Sequence, residues 1–140
     1  MTSSTEPKPF RAFTMSTADV PLEGDNHPTH GDVTWHTLIS GDRTPSKSLI
    51  LGIAHLKPGG WLGLHRHHPA EFYLGLSGEG TATVDGEPHR VAAGIALYIP
   101  GNAEHGIKAG PEGLSFAYGF AVDAFSSIEY RYTADAPQRP

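Results

Sequence analysis

Cysteine is absent from this sequence, so neither disulfides nor thiolate metal ligands are available, and any metal must be held by histidine and carboxylate. An excess of positive charge is also missing. The formal net charge is -5 with histidine neutral, which leaves no basic face for nucleic acid or for an anionic membrane surface. No apolar run approaches the length of a membrane span. The first nine residues lack the apolar segment of a signal peptide, so a soluble, cytoplasmic protein is expected. Long amphipathic helices are missing too, because Gly or Pro interrupts almost every window of helical length. No internal repeat and no linker divides the chain, which predicts one domain over 15–132, a flexible lead over 1–14 and a loose tail over 133–140.

What the chain has in quantity is Gly, 17 residues, and Pro, 12 residues, which suits many short strands joined by tight turns. Val33–Ile39 is rich in β-branched and aromatic residues and reads as a strand. Leu49–Leu56 is apolar on both faces and reads as a central strand. Further strands are expected over Trp61–His67, Glu71–Leu76, Thr81–Val84, Glu87–Val91, Ile95–Ile99, His105–Lys108, Leu114–Val122 and Ile128–Tyr132. Asp85-Gly86 is a two-residue hairpin signal between two of them. Residues 24–32 read as a loop, with His27 and His30 as solvated loop histidines; His68 and His89 also read as exposed. Short strands at a spacing of about ten residues imply an all-β sandwich or barrel.

Within that pattern, residues 59–78 concentrate the chemistry. His65 and His67 are two apart, so in a strand they leave the same face. His68-Pro69 ends that strand, and Glu71 begins the next with Tyr73 on its own face. Two imidazoles and a carboxylate converging from neighbouring strands make a site for a divalent transition metal, with His105 as the candidate fourth ligand. The alternative is a polar patch on an inert barrel, which would leave costly polar groups buried. Tyr73 is either a base beside the metal or an amphipathic wall residue. Phe116, Tyr118 and Phe120 alternate onto one face and line either the core or the pocket mouth. Trp61 shares parity with His65 and is expected in an apolar wall near the metal.

Gly59, His65, His67, Glu71 and Gly78 match the first cupin motif: a glycine, five residues, His-x-His, three residues, Glu, six residues, glycine. Gly94, Pro100 and His105 resemble the second motif. That motif usually has glycine two after the proline, where this chain has Asn102, and its late asparagine is absent. The chain thus resembles the small single-domain cupins. The resemblance implies an all-β jelly-roll barrel holding one divalent ion, iron, manganese, nickel or zinc, through His65, His67, Glu71 and His105. It also implies a homodimer paired through outer strands, Val33–Ile39 and Leu49–Leu56 being the expected contributors.

The Glu-x-Tyr arrangement after His-x-His is similar to that of the dimethylsulfoniopropionate lyase cupins. That likeness implies a metal-dependent lyase or isomerase acting next to a carboxylate of a small substrate, with Tyr73 as base, Tyr118 as helper and β-elimination as the reaction. Trp61, Phe116 and Phe120 would then contact substrate. A non-haem iron dioxygenase and a non-catalytic small-molecule binder remain as alternatives with the same ligand set.

Overall fold

The computed structural model describes residues 10–136, so residues 1–9 of the expected lead and 137–140 of the expected tail lie outside the described residues. Nine strands follow in chain order: β1 (Leu22–His27), β2 (Gly31–Ile39), β3 (Ile50–Leu56), β4 (Trp61–Arg66), β5 (Glu71–Val84), β6 (Glu87–Ala92), β7 (Ala96–Ile99), β8 (His105–Phe120) and β9 (Arg131–Tyr132). The helical content of the described residues is three single 3-10 turns, Thr17–Asp19, Phe125–Ser127 and Thr133–Asp135. None of their helices is long and apolar enough to cross a membrane.

The strands join in the order β6-β5-β8-β3-β2-β4-β9, with β1 on β2 and β7 on β5. β8 closes the structure. Its later half pairs with β3 (Ile50↔Phe120), and its first half pairs with β4 (His65↔His105). The result is a jelly-roll barrel of antiparallel strands. Inward positions are filled by Ile50, Ala82, Val91, Ile99, Ile107 and Leu114, all at 3% exposure or less. Burying each of the larger ones stabilises the fold by about 1.5–3 kcal/mol.

Two pairs of expected strands are continuous. Glu71–Leu76 and Thr81–Val84 are the halves of β5, and His105–Lys108 and Leu114–Val122 are joined in β8. The turn residues between the halves bend the ladder instead of ending it. The β5–β8 register shifts between Gly75 and Ser77 and again between Gly78 and Gly80. At Gly78, φ is 71°, and a Cβ would lie 2.1 Å from the Gly113 carbonyl oxygen, so only glycine fits the bend. The Asp85-Gly86 hairpin is present, with φ of 47° and 82°. Asn102 sits in the left-handed region at φ 63°, which asparagine tolerates in place of the motif's glycine.

Two local expectations change. β1 lies partly where a loop was expected, because Leu22–His27 pairs along β2 from Leu22↔His36 to His27↔Gly31 and cross-strand bonding overrides its weak strand propensity. The strand expected over Ile128–Tyr132 is only Arg131–Tyr132. Thr133–Asp135, the first residues after that strand, form a 3-10 turn whose Asp135 bonds to His30.

Candidate metal centre

The bends of β5 and β8 bring four side chains to one point inside the barrel. His65 is the last but one residue of β4, Glu71 opens β5, His105 opens β8, and His67 follows β4 directly. His65, His67 and His105 are at most 1% exposed and Glu71 5%. One ligand atom from each lies within 4.8 Å of the others. The group could hold a metal ion, as the His and Glu spacing implies.

The hydrogen bonds behind the imidazoles test that fit. His65 Nδ1 donates to the Gly63 carbonyl at 2.7 Å, His67 Nδ1 to Pro69 at 2.9 Å and His105 Nδ1 to Ala103 at 2.8 Å. A carbonyl only accepts, so each Nδ1 carries the proton and each neutral ring turns an Nε2 lone pair inward. His67 Nε2 and His105 Nε2 lie 3.1 Å and 3.2 Å from the same oxygen, Glu71 Oε1. His65 Nε2 is buried with no hydrogen-bond partner. Acceptors facing acceptors in a dry site repel unless a cation or a proton lies between them. Three nitrogens, each on a ring backed by a main-chain bond, and a carboxylate oxygen are the donors a divalent transition ion takes.

The charges of the metal-free site say the same. Burial, then the charge of His105, pushes His65 down to about 3, so it stays neutral and able to ligate. Burial would also push His67 down, but the bond and charge of Glu71 hold it above its ordinary value. Burial would raise Glu71, but the bonds from His105 and His67 outweigh it and hold its carboxyl low.

Beside this cluster lies a cavity of about 170 Å³. Its walls include Trp35, Tyr73, Phe116, Tyr118, Phe125, Tyr130 and Tyr132, with Glu71 as the single carboxylate. Tyr73 is buried, its ring 4.5 Å from Phe116 and 6.3 Å from His105. Burial and the Glu71 charge push its phenol well above the usual range. Tyr118 stands opposite Tyr73 on β8, and its hydroxyl is buried near Thr37 without a well-formed hydrogen bond.

Not every expected residue joins the site. Trp61 lines a separate shallow groove with Leu64, Thr83 and Lys108. The parity argument fails there because the β4–β8 register shifts between Leu62 and His65, and Gly63 N–H bonds to His30 instead. Leu62 therefore takes the cavity position that Trp61 was expected to fill. Phe120 packs edge-on to His67 at 5.1 Å, buried and outside the cavity lining, whereas Phe116 lines it. His68 is exposed, but His89 is half-buried. His27 and His30 are not free loop groups. They stack on each other at 3.8 Å, and His30 stacks on Tyr132 at 3.8 Å.

Sequence reasoning missed Tyr130. Its ring lies nearly parallel to His65 at 5.0 Å and 5.1 Å from His67. Burial, then the Glu71 charge, pushes its phenol well above the usual range. The alternation Tyr130-Arg131-Tyr132 at the end of the last expected strand was the available signal.

The profile of the cupin domain family (Cupin_2) matches residues 52–116. Dimethylsulfoniopropionate lyase DddW of Ruegeria pomeroyi is 55% identical over 128 residues, 91% of this chain and 84% of that protein. Among solved structures, the polyketide cyclase RemF of Streptomyces resistomycificus superposes with a TM-score of 0.73 at 21% identity, over 88% of this chain and 86% of that one. A cupin-2 domain protein from Rhodospirillum rubrum gives 0.70 at 27% identity, over 91% and 87%. A predicted oxalate decarboxylase from Thermotoga maritima gives 0.70 at 24% identity, over 79% and 99%. The first and third likenesses, under 25% identical, speak for the fold alone.

Proposed function

Because this chain belongs to the cupin family, we propose that it is a metal-dependent lyase that removes a proton next to the carboxylate of a small substrate, with dimethylsulfoniopropionate as that substrate. The observation that carries the reading is a buried three-histidine, one-glutamate group facing an aromatic cavity that also holds Tyr73, in a chain 55% identical to a dimethylsulfoniopropionate lyase.

His65, His67, Glu71 and His105 would hold one divalent ion, with iron, manganese, nickel and zinc all suited to the donors. When bound, the ion supplies Lewis acidity toward a carboxylate and favours the anionic form of a nearby phenol. Tyr73 then acts as the base. Its phenolate oxygen takes the proton on the carbon next to the carboxylate, and that C–H pair becomes the new C=C bond. The C–S pair leaves with sulfur, giving acrylate and neutral dimethyl sulfide while the proton rests on Tyr73. Tyr118, opposite Tyr73 with an under-bonded hydroxyl, is placed to orient substrate. Phe116 lines the wall beside Tyr73. Aromatic faces such as Trp35 and Phe125 suit a sulfonium group, since a desolvated cation is attracted to the ring quadrupole.

The test is incubation of metal-loaded protein with dimethylsulfoniopropionate without oxygen, reading dimethyl sulfide and acrylate in equal amounts. Turnover that requires oxygen would move the iron dioxygenase reading ahead. Metal-replete protein with no turnover of this or other small carboxylates would favour binding alone.

The same reading includes a homodimer. On the outer face of the barrel, Ile53, Ala117, Leu74 and Ala96 lie in register across β3, β8, β5 and β7. Leu51, Phe72 and Tyr98 form the neighbouring row, with Phe72 37% and Tyr98 71% exposed. A contiguous apolar sheet face of this kind is one a second copy covers. Light scattering should give twice the chain mass, and Ile53→Glu should halve it; a single-chain mass for the parent protein would refute the dimer.

A further inference from the structure

Most of the cavity wall belongs to strands of six residues or more. Its last part does not. Tyr130 and Tyr132 line the cavity from a segment whose only strand, β9, pairs with β4 at His65↔Tyr132 and Arg66↔Arg131. The inner side of that segment covers the ligands, with Tyr130 stacked on His65 and Tyr132 5.4 Å from the same ring.

Its outer side is held by a cluster that the chemistry above does not use. His30 Nε2 bonds to Asp135 Oδ2 at 2.6 Å. The His30 ring lies flat on Tyr132, at 3.8 Å and 7° between planes, and flat on His27 on its other face. His30 is itself fixed. Its N–H donates to His27 Nδ1 at 3.3 Å, and its carbonyl accepts the Gly63 N–H at 2.7 Å. Thr133 adds a bond to Glu104 at 2.7 Å. One histidine thus grips both the ring and the carboxylate of a short segment that covers the site.

We infer that residues 130–135 form a strap over the metal centre, that His30 is the positioning residue that latches it, and that release of this latch is the route by which small ligands pass between solvent and the cavity. The physical case is comparative. β9 is the shortest strand of the wall: its release breaks two register pairs, the His30 latch and the Thr133–Glu104 bond, whereas releasing β3, β5 or β8 would break a long ladder, and the Phe125–Ser127 turn is tied to Ser40 and Asp42. The inference takes the His and Glu cluster as the metal centre but does not depend on the lyase chemistry, so it is tested without substrate.

Arg131 provides the readout. It is exposed within the strap, but trypsin can cleave after it only when the strap leaves β4, and cleavage releases residues 132–140. The experiment follows metal-loaded full-length protein by mass spectrometry and compares the parent with Asp135→Asn, His30→Phe and His30→Ala. His30→Phe keeps a flat ring on Tyr132 and loses the bond to Asp135, so it should fall between the parent and His30→Ala. Cleavage after Arg131 should be about tenfold faster in His30→Ala, from loss of one stack and one hydrogen bond. Cleavage after Arg43 and Arg90 should be unchanged. Extraction of the metal by a chelator should accelerate in the same order. Parent-like cleavage after Arg131 in His30→Ala would overturn the latch. So would faster cleavage at all arginines together, which would make His30 merely structural. Faster cleavage after Arg131 with unchanged metal extraction would overturn the access route.

Discussion

Replacing Tyr73 by Phe separates the proposed chemistry from the metal site and from the fold. The substitution keeps the ring that packs 4.5 Å from Phe116 and removes only the hydroxyl. Loss of that one polar group should change stability by about 1 kcal/mol or less. The metal content should be unchanged, because the four expected ligand atoms are all elsewhere. The rate is another matter. A positioned base contributes a factor of about 10² to 10⁴, so turnover should fall at least 10²-fold, equivalent to about 2.7 kcal/mol of barrier. The surroundings of Tyr73 sharpen the expectation. Burial and Glu71 push its phenol well above the usual range, so the chain alone does not ionise it near neutral pH. Activity should therefore vanish on removal of the metal, stay absent as the pH is raised to mildly alkaline values, and return on adding the metal back. The assay is headspace dimethyl sulfide and elemental analysis on one preparation. Tyr73→Phe with full metal and the parent's rate would refute the tyrosine-base step and leave Tyr73 as a wall residue.

His67→Ala should remove most of the metal bound on purification, read by elemental analysis, because it deletes a lone pair that has no substitute nearby; full retention would refute the ligand assignment. Glu71 holds His67 above its ordinary 6.5, so the metal-free ring keeps its proton to higher pH than a free imidazole does, and ligation must expel that proton where it is held. Titration calorimetry in two buffers of different ionisation heat should show proton release on metal binding and weaker binding at pH 5.5 than at pH 7, and equal heats in the two buffers would contradict this. Gly52→Ala should lower stability by about 1–3 kcal/mol, because its Cβ would lie 2.3 Å from the Tyr118 hydroxyl and the ring must move. Thermal unfolding measures this, and an unchanged midpoint would mean that Tyr118 does not need its place over β3.

What could be read from the chain depends on how far each signal reaches along it. The pair His65 and His67, Glu71 four on, and the motif glycines are local spacings, and the chain preserves them wherever it goes; the barrel brings them together as their spacing implies. Strand existence was local as well, since β-branched runs and Asp85-Gly86 carry their own geometry. What was not legible came from contacts between distant segments. Trp61 was assigned inward by counting from His65, and a single register shift against β8 reversed it. A bulge leaves little trace in a sequence, because it is set by which residue the partner strand offers. β1 was missed for the same reason, since Gly, Asp and Asn form a strand there only because β2 lies alongside.

Tyr130 and His30 carry that point to the function. Neither sits in a motif, and 100 residues separate them by their numbers, yet both meet the segment that covers His65. A ligand set has strict geometric demands and so imposes a spacing on the sequence. A wall or a latch asks only for a ring or a carboxylate at the right place in space, which many sequence positions can supply. The four side chains that could hold a metal could therefore be named from residues 59–105, while the aromatic cavity beside them had to be seen in the fold.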